Sequence, residues 1–346
     1  MHYSPFPELD EVDATVEALG HHVRAEVLCH VSHEGRHFPI HALHLGPREP
    51  AERPLLLLVG GVHGLERIGT QVILAHLRSF ASYLEWDADM ASLLQRVRMI
   101  CVPLLNPVGM LLGTRSNGNG VDLMRNSPVD ATEPAAAWQI FRGHRLSSAL
   151  PWYRGPSGAA LEPELAAFEA LFDREVRPSR VVVALDVHSG FGSRDQIWFP
   201  YAGSRRFFPH VPELLQLVKL YERTHPHHRY VIEPQAINYT AHGDLWDHLY
   251  ARHLEDANGR VFLPLTLELG SWRWIRKNPS QLLQRLGLFH PITPHRVRRV
   301  LRRHGPLLRF FSRACGSPHA WAELDGATRG ALLQEAHRRW PGMSAP

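Results

Sequence analysis

The chain has 346 residues, 44% of them hydrophobic, and a formal charge of +4. That is ample material for a core and too little charge for a nucleic-acid footprint. Three cysteines without a CxxC pair exclude a disulfide framework. With no basic start and apolar run at the N-terminus, and no stretch long enough to span a bilayer, a cytoplasmic protein with neither nucleic-acid nor membrane partners is expected.

In chain order, residues 1–20 predict a lead-in with one short helix. From Arg24 to Leu45 apolar and polar residues alternate around Glu34-Gly35, the pattern of a β-hairpin over 24–45. Within it, His33-Glu34-Gly35-Arg36-His37 spells HExxH, but that motif binds zinc only on a helix, where both histidines share a face. The period-2 flanks, Gly35 and Pro39 place it on the hairpin instead. Pro47–Pro54 is a polar linker. Leu55–Val59 is a continuous apolar run stopped by Gly60-Gly61, which predicts a buried strand ending in a tight turn. Ile68, Val72, Ala75 and His76 then recur at helical spacing and predict a helix to about Tyr83.

Val97–Leu105 predicts a second buried strand, ended by the Asn106-Pro107-Val108-Gly109 turn. A Gly/Asn-rich loop follows over 113–126. The Pro-, Ala- and Gly-rich stretch from Ser127 to Pro163 is long enough to be either functional or flexible. Glu162-Pro163-Glu164 opens a helix with Leu165, Phe168 and Leu171 on its apolar face. Strands are predicted at Val181–Val187, Gln196–Tyr201, Tyr230–Ile232 and Val261–Leu269, with helices over Val211–Arg223 and Asp244–His253 between them. A basic helix over Thr293–Ala314 and an amphipathic one over 321–339 complete the chain. Alternating strands and helices predict an α/β sandwich of three layers, a mixed and mostly parallel twisted sheet with helices on both faces.

Three predicted strand or turn ends carry chemistry. His63 and Glu66 stand three apart where the first long helix begins, and His188 follows the strand that ends at Val187. A short His/Glu pair plus one distant histidine is a common set for catalytic zinc, with the fourth position left to water. Glu268 is a lone carboxylate in an otherwise apolar strand. Burying it costs several kcal/mol (of the order usual for an unpaired charge) unless a partner or a site uses it.

Together these blocks resemble the zinc metallocarboxypeptidases of the carboxypeptidase A type. GGVHGLERIG resembles that family's HxxE block, PLLNPVG its Asn-Pro-x-Gly turn, and GTRSNGNGVDLMRN its arginine loop. WYRGPSGAALEPE, DVHSG, NYTAHGDLWD and LTLELG follow in the family's order, and SHEGR in the hairpin also fits. The resemblance runs from about residue 30 to 280. It implies one zinc ion held by His63, Glu66 and His188, with Glu268 as general base. It further implies that Arg115 stabilises the oxyanion and that Asp122 orients His63. Arg125 would grip the substrate's carboxylate and Tyr239 would close over it. The organisation expected is a catalytic unit over 1–290, hairpin included, with a helical extension over 291–346 packed on it.

Two positions depart from the family pattern. Met124 stands where the family has an Asn beside its carboxylate-binding Arg, and a thioether cannot donate a hydrogen bond. Trp246 falls where the family's specificity pocket is lined, and would narrow or fill it. The HGxE and DxH forms also resemble the succinylglutamate desuccinylase and aspartoacylase enzymes, a sister group. The expected substrate is therefore a peptide, with an N-acyl amino acid as the alternative; a degenerate binding protein of the same fold is a third reading.

Overall fold

The computed structural model describes residues 6–49, 53–133 and 138–346. The middle of the Pro47–Pro54 linker and part of the 127–163 stretch lie outside the described residues. In chain order the elements are α1 (Pro7–Leu19), β1 (Val23–His33), β2 (Arg36–Leu45), β3 (Leu55–Gly60), α2 (Arg67–Leu84), α3 (Ala88–Arg96), β4 (Arg98–Val102) and α4 (Pro107–Leu112). Then come α5 (Pro163–Leu171), β5 (Val181–Ser189), β6 (Gln196–Phe199), α6 (Val211–Thr224), β7 (Val231–Pro234), α7 (Gln235–Asn238) and α8 (Leu245–Leu254). The last are β8 (Val261–Leu269), α9 (Trp272–Lys277), α10 (Pro294–Cys315) and α11 (Gly326–Arg339).

The eight strands form one mixed sheet in the order β1-β2-β4-β3-β5-β8-β6-β7. The central run β4-β3-β5-β8 is parallel, and β2 and β6 join it antiparallel. β3, β5 and β8 are buried along their whole length, as strands covered on both faces must be. On one face Phe262 packs against Phe172, Trp246 and Tyr250, which brings α8 onto β8. Leu265, one strand residue out of phase, meets Leu214, Tyr221 and Phe311 of α6 and α10 on the other.

Glu34 and Gly35 take positive φ in the two-residue turn of the β1–β2 hairpin, so the HExxH string lies on two strands rather than one helix face. The strand expected over Val97–Leu105 is shorter, because Asn106 caps α4 through Gly109 N–H at 2.8 Å and the chain turns before it. Helix α3, capped by Asp87, was not expected from the sequence. The last helix starts at Gly326 rather than 321, because Asp325 is its cap. Basic α10 buries Leu307, Leu308, Phe310 and Phe311, and Cys315 donates to the Leu55 carbonyl at 3.7 Å. Trp340 closes the chain's end on Ile232 O at 2.9 Å. Among the described residues, no helix is long and apolar enough to cross a membrane.

Candidate metal centre

The turn after β3 is built by close backbone approach. A Cβ on Gly64 would lie 1.9 Å from the Gly109 carbonyl carbon, so only glycine fits there. Asn106 Nδ2 donates to Val62 O at 3.2 Å, and Leu65 N donates to Thr114 O at 3.0 Å. These bonds fix the His63 turn against the loop that carries Arg115. Glu66 occupies the N-cap position of α2, yet its side chain caps nothing in that helix. Instead Oε2 accepts from Ser189 N–H at 2.9 Å and lies 3.0 Å from His188 Nδ1, while Oε1 lies 2.9 Å from His63 Nδ1.

β5 runs two residues past the predicted end and so carries His188 itself. Asp186 and His188 are two apart on that strand and share a face. Glu268 is the cross-strand partner of His188 on β8, and Phe191 N–H donates to its Oε1 at 2.8 Å. Ligand atoms of His63, Glu66 and His188 all lie within 4.8 Å of one another, and all three residues are buried. The two Nδ1 atoms face each other at 3.2 Å. Behind them, His63 Nε2 meets Asp122 Oδ1 at 3.1 Å and His188 Nε2 meets Asp186 Oδ2 at 2.7 Å. With each Nε2–H given to a carboxylate, both Nδ1 lone pairs point at the same spot as the Glu66 oxygens.

The electrostatics call for a cation at that spot. Burial works against the charge of Glu66, but His63 and His188 hold its carboxyl well below the usual carboxylate range. Burial likewise opposes the charge on His188, and Asp186 and Glu66 outweigh it, raising its pKa. Glu66, Asp122 and Asp186 bring three carboxylates to the two histidines, and Arg115 pairs with Asp122. Two imidazole nitrogens and one carboxylate fit zinc in both charge and donor type. Burial, then the negative charge of Glu66, pushes the Glu268 carboxyl up to about 8.

Arg115 donates Nε to Asp122 Oδ2 at 2.7 Å, and its Nη1 stands 3.8 Å from Glu66 Oε1. Its guanidinium lies 5.9 Å from the ring centroid of Trp152, a residue held at φ 67°. Met124 is buried, and its N–H donates to Asp122 Oδ1 at 3.0 Å. Arg125 is buried too. It bonds to the Met124 carbonyl at 3.2 Å, its Nε has no partner, and no described carboxylate is within ion-pair distance of it. Tyr239 is half-buried among Phe141, Phe191 and Trp198, with ring centroids 6.0–6.1 Å away.

Trp246 sits in the core at 3% exposure, its ring against Phe168 and its Nε1 donating to Asp186 Oδ2 at 3.0 Å. It thus supports the carboxylate behind His188, a role the sequence reading did not assign. Asp186 was likewise given no role, although its two-residue spacing from His188 on a strand was visible. The 127–163 stretch is pinned where it is described: Arg154 reaches the carbonyls of Arg125, Ser127 and Val129, and pairs with Asp130 at 2.5 Å.

An α/β sheet that ends in a buried His-Glu-His group defines the class. The match to known families is specific: residues 13–271 fit the zinc carboxypeptidase family, and the chain belongs to it. Carboxypeptidase SOL1 of Arabidopsis thaliana is 29% identical over 93 residues, which are 26% of this chain and 19% of the plant protein. The chain therefore matches only about a fifth of that relative's length. Bovine thrombin-activatable fibrinolysis inhibitor, solved with tick carboxypeptidase inhibitor, aligns at a TM-score of 0.63 with 18% identity over 94% of this chain and 99% of that one. Carboxypeptidase A of Helicoverpa armigera aligns at 0.62 with 19% identity over 89% and 73%. The fold is that of these carboxypeptidases.

Proposed function

We propose that the chain is a zinc-dependent carboxypeptidase-type hydrolase that cleaves a peptide or related amide bond with water. The observation that carries this reading is the convergence of His63 Nδ1, His188 Nδ1 and Glu66 on one point, with Glu268 on the neighbouring strand. Zinc bound there supplies a Lewis acid that makes water acidic and polarises a carbonyl. Glu268 takes the proton of the attacking water and returns it to the leaving nitrogen. Arg115, held by Asp122, stabilises the negative charge that develops on the carbonyl oxygen. Asp122 and Asp186 keep the two imidazoles in the tautomer that turns Nδ1 inward. Arg125 offers a buried guanidinium with no described carboxylate within ion-pair distance, which suits an anionic group on the substrate. Tyr239 closes over the bound substrate beside its aromatic neighbours.

Hydrolysis of an N-acyl amino acid is the second reading, favoured by one observation: buried Met124 offers no donor beside Arg125. The test is metal analysis of the purified protein, followed by mass-spectrometric product screening. The panel holds C-terminal peptides, cell-wall peptides and N-acyl amino acids. One zinc per chain and release of a C-terminal residue are expected. Cleavage confined to N-acyl amino acids would favour the second reading. Zinc bound with no product from any substrate would leave a binding protein.

A further inference from the structure

Away from the metal centre, a cavity of about 560 Å³ lies between the end of α6, the His225–Tyr230 segment and the first half of α10. That volume is in the range of small-molecule sites. Arg229, Arg299 and Arg303 line it, and among the described residues no carboxylate does. Arg303 directs Nε to buried Asp195 at 2.8 Å, and Arg273 pairs with the same carboxylate. Among the described residues, no acid lies within ion-pair distance of Arg229 or Arg299.

The arrangement works against the helix that holds it. α10 carries seven arginines and no acidic residue. Arg298 with Arg302, and Arg299 with Arg303, are like charges four apart, a spacing that destabilises a helix. Arg299 and Arg303 also repel Arg273. A polyanion bound in the cavity relieves the repulsion between Arg299 and Arg303 and that of both with Arg273. Such a break with local rules is what a binding site shows.

The opposite wall is made of flat rings. Tyr221 stacks on His225 with centroids 4.7 Å apart and planes at 23°, and His228 runs parallel to Tyr230 within 20° at 6.1 Å. The Tyr230 hydroxyl and His304 Nδ1 share a hydrogen bond at 2.8 Å, which anchors that wall to α10. Guanidinium groups match phosphate oxygens two at a time, and partly exposed rings offer a face to a planar base.

We propose that this cavity binds a nucleoside di- or triphosphate, its phosphates on Arg229, Arg299 and Arg303 and its base against His228 and Tyr230. The chain's basic tail is then one wall of a small-molecule site. The test is calorimetric titration of the full chain at near-physiological salt, with magnesium, using ATP, tripolyphosphate and adenosine in turn. ATP should bind saturably, one per chain, and tripolyphosphate several-fold more weakly. Arg229 and Arg299 are exposed, so the double variant Arg229→Ala/Arg299→Ala should fold normally and bind ATP at least tenfold more weakly. His228→Ala should weaken ATP and leave tripolyphosphate unchanged. Absence of saturable ATP binding, or unchanged affinity in the double variant, overturns the site. Equal affinity for ATP and tripolyphosphate overturns the nucleoside part. Because binding is read without any hydrolysis assay, the result is independent of the activity proposed for the metal centre.

Discussion

His188 lies between two carboxylates, and His33 lies on a solvent-facing hairpin. His188→Ala should therefore bind far less zinc and lose hydrolysis, whereas His33→Ala and His37→Ala should retain both. Metal content after dialysis measures this directly; loss of zinc in the His33 variant with retention in the His188 variant would reverse the assignment. Glu268→Gln keeps the metal ligands and the Phe191 hydrogen bond, so zinc content should hold while kcat falls roughly 10²–10⁴-fold. Normal turnover in that variant would remove Glu268 from the chemistry. Met124→Asn restores a donor beside Arg125, and one hydrogen bond to a charged group is worth about 1.5–3 kcal/mol, roughly ten- to hundredfold in binding. It should raise kcat/KM on peptides with a free C-terminus; no gain would mean that other residues hold the carboxylate. At this scale the sequence exposes residues that break a pattern: a carboxylate in an apolar strand, a histidine at a strand end. It hides those that conform. Trp246 reads as an ordinary apolar helix residue, and only its indole hydrogen bond to Asp186 shows what it does.

The elements deliver those residues because they touch at their ends. A Cβ on Gly69 would lie 2.2 Å from the Val187 carbonyl oxygen, so the first turn of α2 rests directly on the end of β5. That contact sets the distance between Glu66 and His188. Gly69→Ala should push α2 outward, cost about 1–3 kcal/mol in urea unfolding, and weaken zinc binding. Unchanged stability and zinc affinity would show that the contact yields without moving Glu66. Strand and helix periods were legible for most elements: Val261–Leu269 is β8 to the residue, and the hairpin stands where its alternation put it. Helix α3 escaped because its Met90, Leu93 and Leu94 are too few to stand out in a polar run. The placement of β4 between β2 and β3 could not be read, since strand order is settled by contacts distant in sequence.

For the whole molecule, folding buries neutral histidines besides the metal ligands. Desolvation lowers His76, His253, His290 and His304 to about 4 and His210 to about 3. Tyr250 and His210 Nδ1 share a buried hydrogen bond at 2.7 Å. Between their folded values and 6.5 the unfolded chain binds these protons and the native chain does not, so stability falls as pH drops through 6.5 toward 4. Asp247 and Glu268 act in the opposite sense. Burial first, then Asp244 and Glu66 respectively, pushes each up to about 8, so below that pH the native chain holds two protons that the unfolded chain lacks. The lowered histidines outnumber the raised acids among these groups, so near pH 5.5 unfolding takes up protons on balance. Above 6.5 Asp247, Glu268 and, in the zinc-free chain, His188 still hold protons that the unfolded chain lacks, so stability should decline as pH rises through 8. Urea midpoints measured with a chelator present, so that zinc release does not contribute, should therefore peak near pH 6.5 and fall steeply on the acid side. His210→Gln keeps an acceptor for Tyr250 and removes one titrating group, so it should flatten the acid-side slope. A midpoint that rises from pH 7 to pH 5, or a slope that His210→Gln leaves unchanged, would show that these histidines are protonated in the folded chain.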